Sequence, residues 1–284
     1  MYSKIKIKFT KKIDTFKLLF FPYLTVLLFL ILLPFLIILI FAFTEFTANN
    51  LIRFSFENVL NILNNSSIMK ILGFSIFIGL LTAFLCLIIG YPIAYIIAFK
   101  IQNQKSKAFL WFLFTFPIWI NLLIKSYGIQ TLFRLLFPDF YGTFSCMLFG
   151  LINVFLPIMI MNIYTSLDGI DRRYLDASSD LGAKPSTTIK KIIFPLSLSG
   201  VFSGLMLVFI SASTTLVIPH FLGNGNYLMI SNVIENYFFK SSDYKSAISV
   251  ALILLLSIVV FILLFKFAGK IFNYQRPKKG RKNV

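Results

Sequence analysis

One histidine and ten carboxylates are the side chains this chain offers for acid–base work. His220 has no second histidine at H-E-x-x-H spacing, and no Ser/His/Asp set assembles around it. The carboxylates are Asp14, Glu45, Glu57, Asp139, Asp168, Asp171, Asp176, Asp180, Glu235 and Asp243, and none lies deep in an apolar run. Carriers coupled to protons or sodium place an ionisable group inside the membrane, so this pattern argues against a stand-alone secondary carrier. A G-x-x-x-x-G-K-[ST] phosphate loop is absent, so driven transport would draw its energy from another subunit. Cys86 and Cys146 sit in apolar runs without a C-x-x-C and are expected to pack as small apolar residues. No enzyme activity, metal or cofactor is expected. The ordered spacing lies elsewhere: Asp176-Ala177-Ser178, three residues, Gly182, nine residues, Ile192, one residue, Phe194-Pro195. Its chemistry is protein docking, in a polar, basic segment between long apolar runs.

That segment reads as two short helices. Asp171 can cap a helix over Arg172–Leu181 by accepting backbone N–H bonds. Gly182 ends it, because glycine takes the left-handed C-cap conformation without strain. Ala183-Lys184-Pro185 turns the chain, and Ser186 or Thr187 starts a second helix that Pro195 should kink. The small side chains of Ala177 and Ser178 leave room for another surface to approach.

The surrounding elements must be membrane helices. The 284 residues are 58% hydrophobic and 13% charged, too apolar for a soluble domain. A helix needs roughly 20 apolar residues to cross the hydrocarbon core. Six stretches meet or approach this: Leu18–Phe43, Ile71–Phe99, Ala108–Ile124, Gly142–Tyr164, Ile192–Pro219 and Ala247–Phe267. The first is too long for a signal-peptide core and lacks a small-x-small cleavage site. The fifth is long and should tilt, or bend near Gly200 or Gly204. A short amphipathic segment is expected around Phe54–Leu63, a turn at Gly223-Asn224-Gly225-Asn226, and a short helix over Leu228–Phe239. The fold class is all-α, polytopic, with six transmembrane helices. Residues 1–17 form a basic tail, 18–267 the membrane domain with its loop at 168–195, and 268–284 a second basic tail.

A net charge of +17 taken alone suits nucleic acid, but its distribution does not. Most of the 27 Lys and Arg residues fall in the two tails, the second-to-third connection (Lys100, Lys105, Lys107) and the loop itself (Arg172, Arg173, Lys184, Lys190, Lys191). That is one side of a six-helix topology, as the positive-inside rule expects. Both termini and the loop are therefore placed in the cytoplasm. The charge can also attract anionic membrane lipid, and no nucleic-acid partner is expected.

The spacing of the loop resembles the EAA motif of permease subunits in binding-protein-dependent ABC importers: Glu-Ala-Ala, three residues, Gly, nine, Ile, one, Leu-Pro. Asp176, Ser178 and Phe194 replace Glu, Ala and Leu with every interval kept. Phe116-Pro117-Ile118-Trp119-Ile120-Asn121-Leu122-Leu123-Ile124-Lys125-Ser126-Tyr127 is similar to the F-P-x-W-x-N-x-L-I-R-x-Y stretch of spermidine/putrescine permeases. Val217-Ile218-Pro219-His220-Phe221-Leu222-Gly223, with Met229-Ile230-Ser231-Asn232, resembles their V-I-P-x-L-L-G-G…M-I-G-N. Of the two permeases that such polyamine importers carry, these stretches resemble the first. The resemblance covers roughly residues 20–265. It implies a type I ABC importer permease (MetI-like) fold with both termini inside, in a bacterial inner membrane. It implies a homologous second permease, two ABC ATPase subunits that hydrolyse the ATP, and an extracellular substrate-binding protein. Asp176, Ala177, Ser178, Gly182, Ile192 and Pro195 would couple the chain to the ATPase. Sister importers for iron, sulfate or molybdate, or thiamine are the alternative.

One departure bears on substrate. Many relatives carry Gly-Glu before V-I-P, where this chain has Ser213-Thr214-Thr215. Without that carboxylate, a polycation would pass on aromatic faces and neutral oxygens. Cation–π contacts of about 0.5–2 kcal/mol suit transient contact. Trp119, Tyr127, Ser213, Thr214 and Thr215 are the candidates for the pathway.

Overall fold

The computed structural model describes residues 22–46 and 52–273; the basic N-terminal tail and the end of the C-terminal tail lie outside them. The apolar runs become helices because in hydrocarbon every backbone N–H and C=O must be paired within its own segment. Among the described residues, five helices are long and apolar enough to cross a membrane. They are α1 (Pro22–Ala42), α3 (Ser66–Lys100), α6 (Phe144–Asp168), α8 (Pro185–Thr214) and the last, α11, which spans Tyr244–Asn273. Helix α11 thus runs past Phe267, where the sequence places its end, into the first residues of the basic tail.

The third expected span is not one helix. Helix α4 covers Gln104–Trp119, its last turn (Phe116–Trp119) being 3-10, and α5 covers Leu122–Leu136 at 94° to it. The sixth crossing exists only if this bent pair counts as one span. Pro117 supplies no N–H, Ile120 is extended, and Asn121 restarts the helix by accepting from Leu123 N at 2.9 Å.

Short elements complete the chain. Between α1 and α3 lie strands β1 (Thr44–Phe46) and β2 (Ile52–Phe54), antiparallel with Glu45 opposite Arg53, and helix α2 (Glu57–Asn64). This two-stranded ladder is a small addition to the all-α expectation, and it takes up Phe54, so the amphipathic helix starts at Glu57 rather than Phe54. Helix α7 (Arg173–Asp180) lies between α6 and α8. Helices α9 (Val217–Leu222) and α10 (Ile230–Phe239) follow α8, so the fifth span ends at Thr214 instead of reaching Pro219. Side-chain caps fix the starts of many helices: Asn65 for α3, Asn103 for α4, Thr143 for α6 and Asp243 for α11.

The core is the mutual packing of α3, α6 and α8 around Ile78, Met147, Met159, Ile163 and Phe209. Apolar burial does not drive helix association in lipid, where close backbone approach and hydrogen bonds do. Gly200 and Gly204 serve that approach. A Cβ at Gly200 would fall 2.6 Å from the Asn162 carbonyl oxygen, and one at Gly204 2.7 Å from Met159 Sδ. Helix α8 is continuous through both. Pro195, expected to kink it, lies just past a π-helical turn (Ile189–Ile193), and the helix carries on through it without a break. Cys86 and Cys146 are free and fully buried.

The segment α9–α10 is fastened to the core by polar contacts. Ser75 Oγ accepts from Ile230 N at 2.8 Å, and Ser231 Oγ donates to Thr214 O at 2.7 Å.

Candidate functional site

The polar loop between α6 and α8 is a folded unit. Asp171 Oδ1 accepts from Arg173 N at 3.0 Å and sets the first turn of α7. Gly182 stands at φ +70°, with its N–H donating to Ser179 O at 2.9 Å and the Ala183 N–H to Ser178 O at 3.1 Å. These bonds form the expected left-handed termination. Pro185 takes the first position of α8, one residue before the expected start, where its missing N–H costs nothing.

Within the loop the sequence-predicted residues divide. Asp176 and Ala177 are exposed, Ile192 and Pro195 half-buried, and Ser178 is buried. The Ser178 hydroxyl is hydrogen-bonded to that of Thr188 at the start of α8, so it faces inward and closes the loop on itself. It therefore leaves the outer face to its neighbours. That face is Tyr174, Ala177 and Leu181, at helical spacing. Leu181 is 87% exposed, and its spacing from Tyr174 and Ala177 is the signal by which both flanking residues were findable.

The five pathway candidates do not form one cluster. Trp119, 82% exposed, ends α4 at the break and lines a groove of about 420 Å³ with Pro117, Asn121, Lys125, Phe155 and Ile158. Lys125 Nζ donates to Asn153 O in α6 at 3.0 Å. Tyr127 is exposed and meets Phe221 of α9 edge-on at 6.3 Å. Ser213 is fully buried against Gly79 of α3, its hydroxyl donating to Phe209 O at 2.7 Å. Thr214 donates to Ile210 O at 2.8 Å, and Thr215 has a buried hydroxyl without a partner among the described residues. The second groove of interest, at the interface of α6 and α8, is lined by Asn162, Thr165, Ser166, Ser199 and Ser203. Its signal in the sequence is the Ser/Gly spacing from Ser197 to Gly204. Among the described residues no cluster of three His, Cys, Asp or Glu could hold a metal.

Residues 87–273 match the family described as "Binding-protein-dependent transport system inner membrane component". The chain belongs to this family. As an inner membrane component it is a multi-pass membrane protein and part of a transport system. It is 29% identical over 266 residues to the spermidine/putrescine transport system permease protein PotB of Haemophilus influenzae, covering 87% of this chain and 91% of that one. Its fold is similar to that of a chain in the crystal structure of a bacterial ABC transporter involved in the import of the acidic polysaccharide alginate (TM-score 0.68, 12% identity, 92% and 96% of the two chains). It is also similar to a chain of the inward-facing MetNI methionine ABC transporter (TM-score 0.56, 16% identity, 75% and 100%). The inner membrane component thus has the fold of ABC importer permeases.

Proposed function

We propose that this chain is the permease subunit of an ABC importer that moves polyamines of the spermidine/putrescine type inward. The observation that carries the reading is the likeness to a spermidine/putrescine permease along 87% of the chain. The subunit pairs with a homologous second permease, two ABC ATPase subunits beneath it hydrolyse the ATP, and an extracellular binding protein delivers substrate. Both termini and the loop are cytoplasmic, in keeping with the lysine-rich tails and connections.

The loop docks on the ATPase through Tyr174, Ala177 and Leu181, with Asp176 alongside. Gly182 sets the angle between α7 and α8, and Ile192 and Pro195 seat the start of α8. Closure of the ATPases on ATP moves this unit as one piece, because the Ser178–Thr188 hydrogen bond joins its two helices. The membrane helices then exchange between two arrangements favoured by different nucleotide states.

The pathway runs past the α4–α5 break. Irregular backbone at membrane depth is tolerated only where protein covers it or water fills it. In this chain the break leaves Trp119, Ile120 and Asn121 exposed, so this face meets the second permease or the aqueous route rather than lipid. Trp119 and Tyr127 offer aromatic faces to an ammonium and the Thr214 hydroxyl a neutral oxygen, while the Thr215 hydroxyl is buried. Ser213 acts through packing on α3. Labelled spermidine uptake by the complete complex in proteoliposomes tests the substrate. ATP-dependent uptake is expected, and uptake of sulfate, thiamine or iron in its place would move the chain to a sister importer.

A further inference from the structure

Lys107 lies in the first turn of α4 with its side chain only 10% exposed, and its ammonium is paired with the Asp168 carboxylate at the end of α6. Asp168 is 49% exposed, so the pair is sealed on the lysine side and open on the other. The Tyr164 ring stands 5.5 Å from Lys107 Nζ, and Gln104 and Trp111 border the same groove of about 370 Å³. No other ion pair occurs among the described residues.

The placement of this pair gives it a role. Asp168 stands three residues before Asp171, which starts the loop helix α7. Lys107 stands twelve residues before Trp119, about 18 Å along α4 at the helical rise. Helix α4 is continuous between them, and only Ile101–Asn103 separates it from α3. The loop and the broken span are far apart in sequence, and the ion pair joins the loop-side end of one to the loop-side end of the other.

We propose that Lys107 and Asp168 are positioning residues that carry movement of the docking loop into α4, and through α4 to the break at Trp119–Asn121. This rests on the reading of the loop as the ATPase contact. A displacement of the α6 end moves Asp168. The paired ammonium has no alternative anion in its groove and little access to water, so α4 follows. The pair transmits movement and touches neither substrate nor nucleotide.

The test is spermidine uptake per ATP hydrolysed in proteoliposomes containing the complete complex, with co-purification of the ATPase as the check on assembly. Lys107→Met and Asp168→Asn are each expected to lower that ratio about tenfold, within the usual span of coupling energies. The exchange of Lys107→Glu with Asp168→Lys restores the pair with reversed polarity and is expected to recover most of the ratio. Assembled single variants that keep the wild-type ratio would overturn the proposal. So would an exchanged pair that assembles but stays as uncoupled as the single variants. Where the single variants fail to assemble, the exchange decides alone: recovery of assembly and coupling supports the pair, and failure of either overturns it. Failure of the parent reading looks different, because the wild-type chain then retains no ATPase or moves no spermidine, and the inference falls with it.

Discussion

Gly182 shows how one residue can fix the geometry of the loop between α6 and α8. Its backbone is left-handed at φ +70°, and a Cβ placed there meets nothing within 4 Å. Substitution is therefore opposed by conformation alone, at about 1–2 kcal/mol for an ordinary L-residue. Asparagine tolerates this region, and a β-branched residue does not. Gly182→Val is expected to lower uptake about tenfold with normal membrane insertion, whereas Gly182→Asn stays near wild type. Uptake and the amount of chain in the membrane fraction check it; equal losses in both variants would show that something other than backbone conformation matters here. Gly182 was legible in the sequence because its cause is local: a helix must end, and glycine ends it. Ser178 was not. Its inward orientation is decided by Thr188, ten residues on, and the spacing of Asp176-Ala177-Ser178 contains no trace of that partner.

At the scale of elements, the expected spans appear with shifted ends, except the third, which is broken. Composition hides the break, since Ala108–Ile124 is apolar apart from Thr115 and Asn121. Its local signals are Pro117 and Asn121, the one removing a donor and the other capping a new helix. Conversely, the helix continues through Pro195, just past a π-helical turn that pattern reading does not reveal. The exposed indole at the break carries a prediction. Loss of one cation–π contact of about 0.5–2 kcal/mol corresponds to a roughly two- to thirtyfold effect. Trp119→Ala is expected to lower spermidine uptake below saturation by about that factor, and Trp119→Phe to recover much of it, while saturated uptake changes less. A second prediction concerns the start of α11. Asp243 accepts from Ser246 N at 3.1 Å, and hydrogen bonds from the Ser246 side chain and backbone hold its carboxyl below the usual carboxylate range. A depressed folded pKa means stability that is present above the unfolded value, near 3.9, and lost as pH falls through the folded one. Asparagine caps as well but carries no charge. The thermal midpoint of the wild type is thus expected to exceed that of Asp243→Asn at neutral pH, and the gap to close below about pH 4.

At the scale of the whole molecule, the chain is one component of a transport system. The faces it leaves open are those a lipid-facing helix would not show: the irregular turn at Trp119–Asn121, the hydroxyl-lined groove between α6 and α8, and the Tyr174–Leu181 face. Each has a different expected cover, and the lysine distribution assigns their sides. The two native cysteines make this assignment testable, because both are fully buried and leave a low background for thiol labelling. Leu181→Cys lies at the most exposed point of the loop, and Asn224→Cys in the opposite turn between α9 and α10. A membrane-impermeant maleimide is expected to label Cys at 224 in intact spheroplasts and Cys at 181 only in inverted vesicles. Bound ATPase is expected to protect position 181 and leave 224 reactive. Labelling of 181 from outside would invert the topology. Labelling of 181 from inside without protection would keep the topology and remove the loop from the ATPase contact.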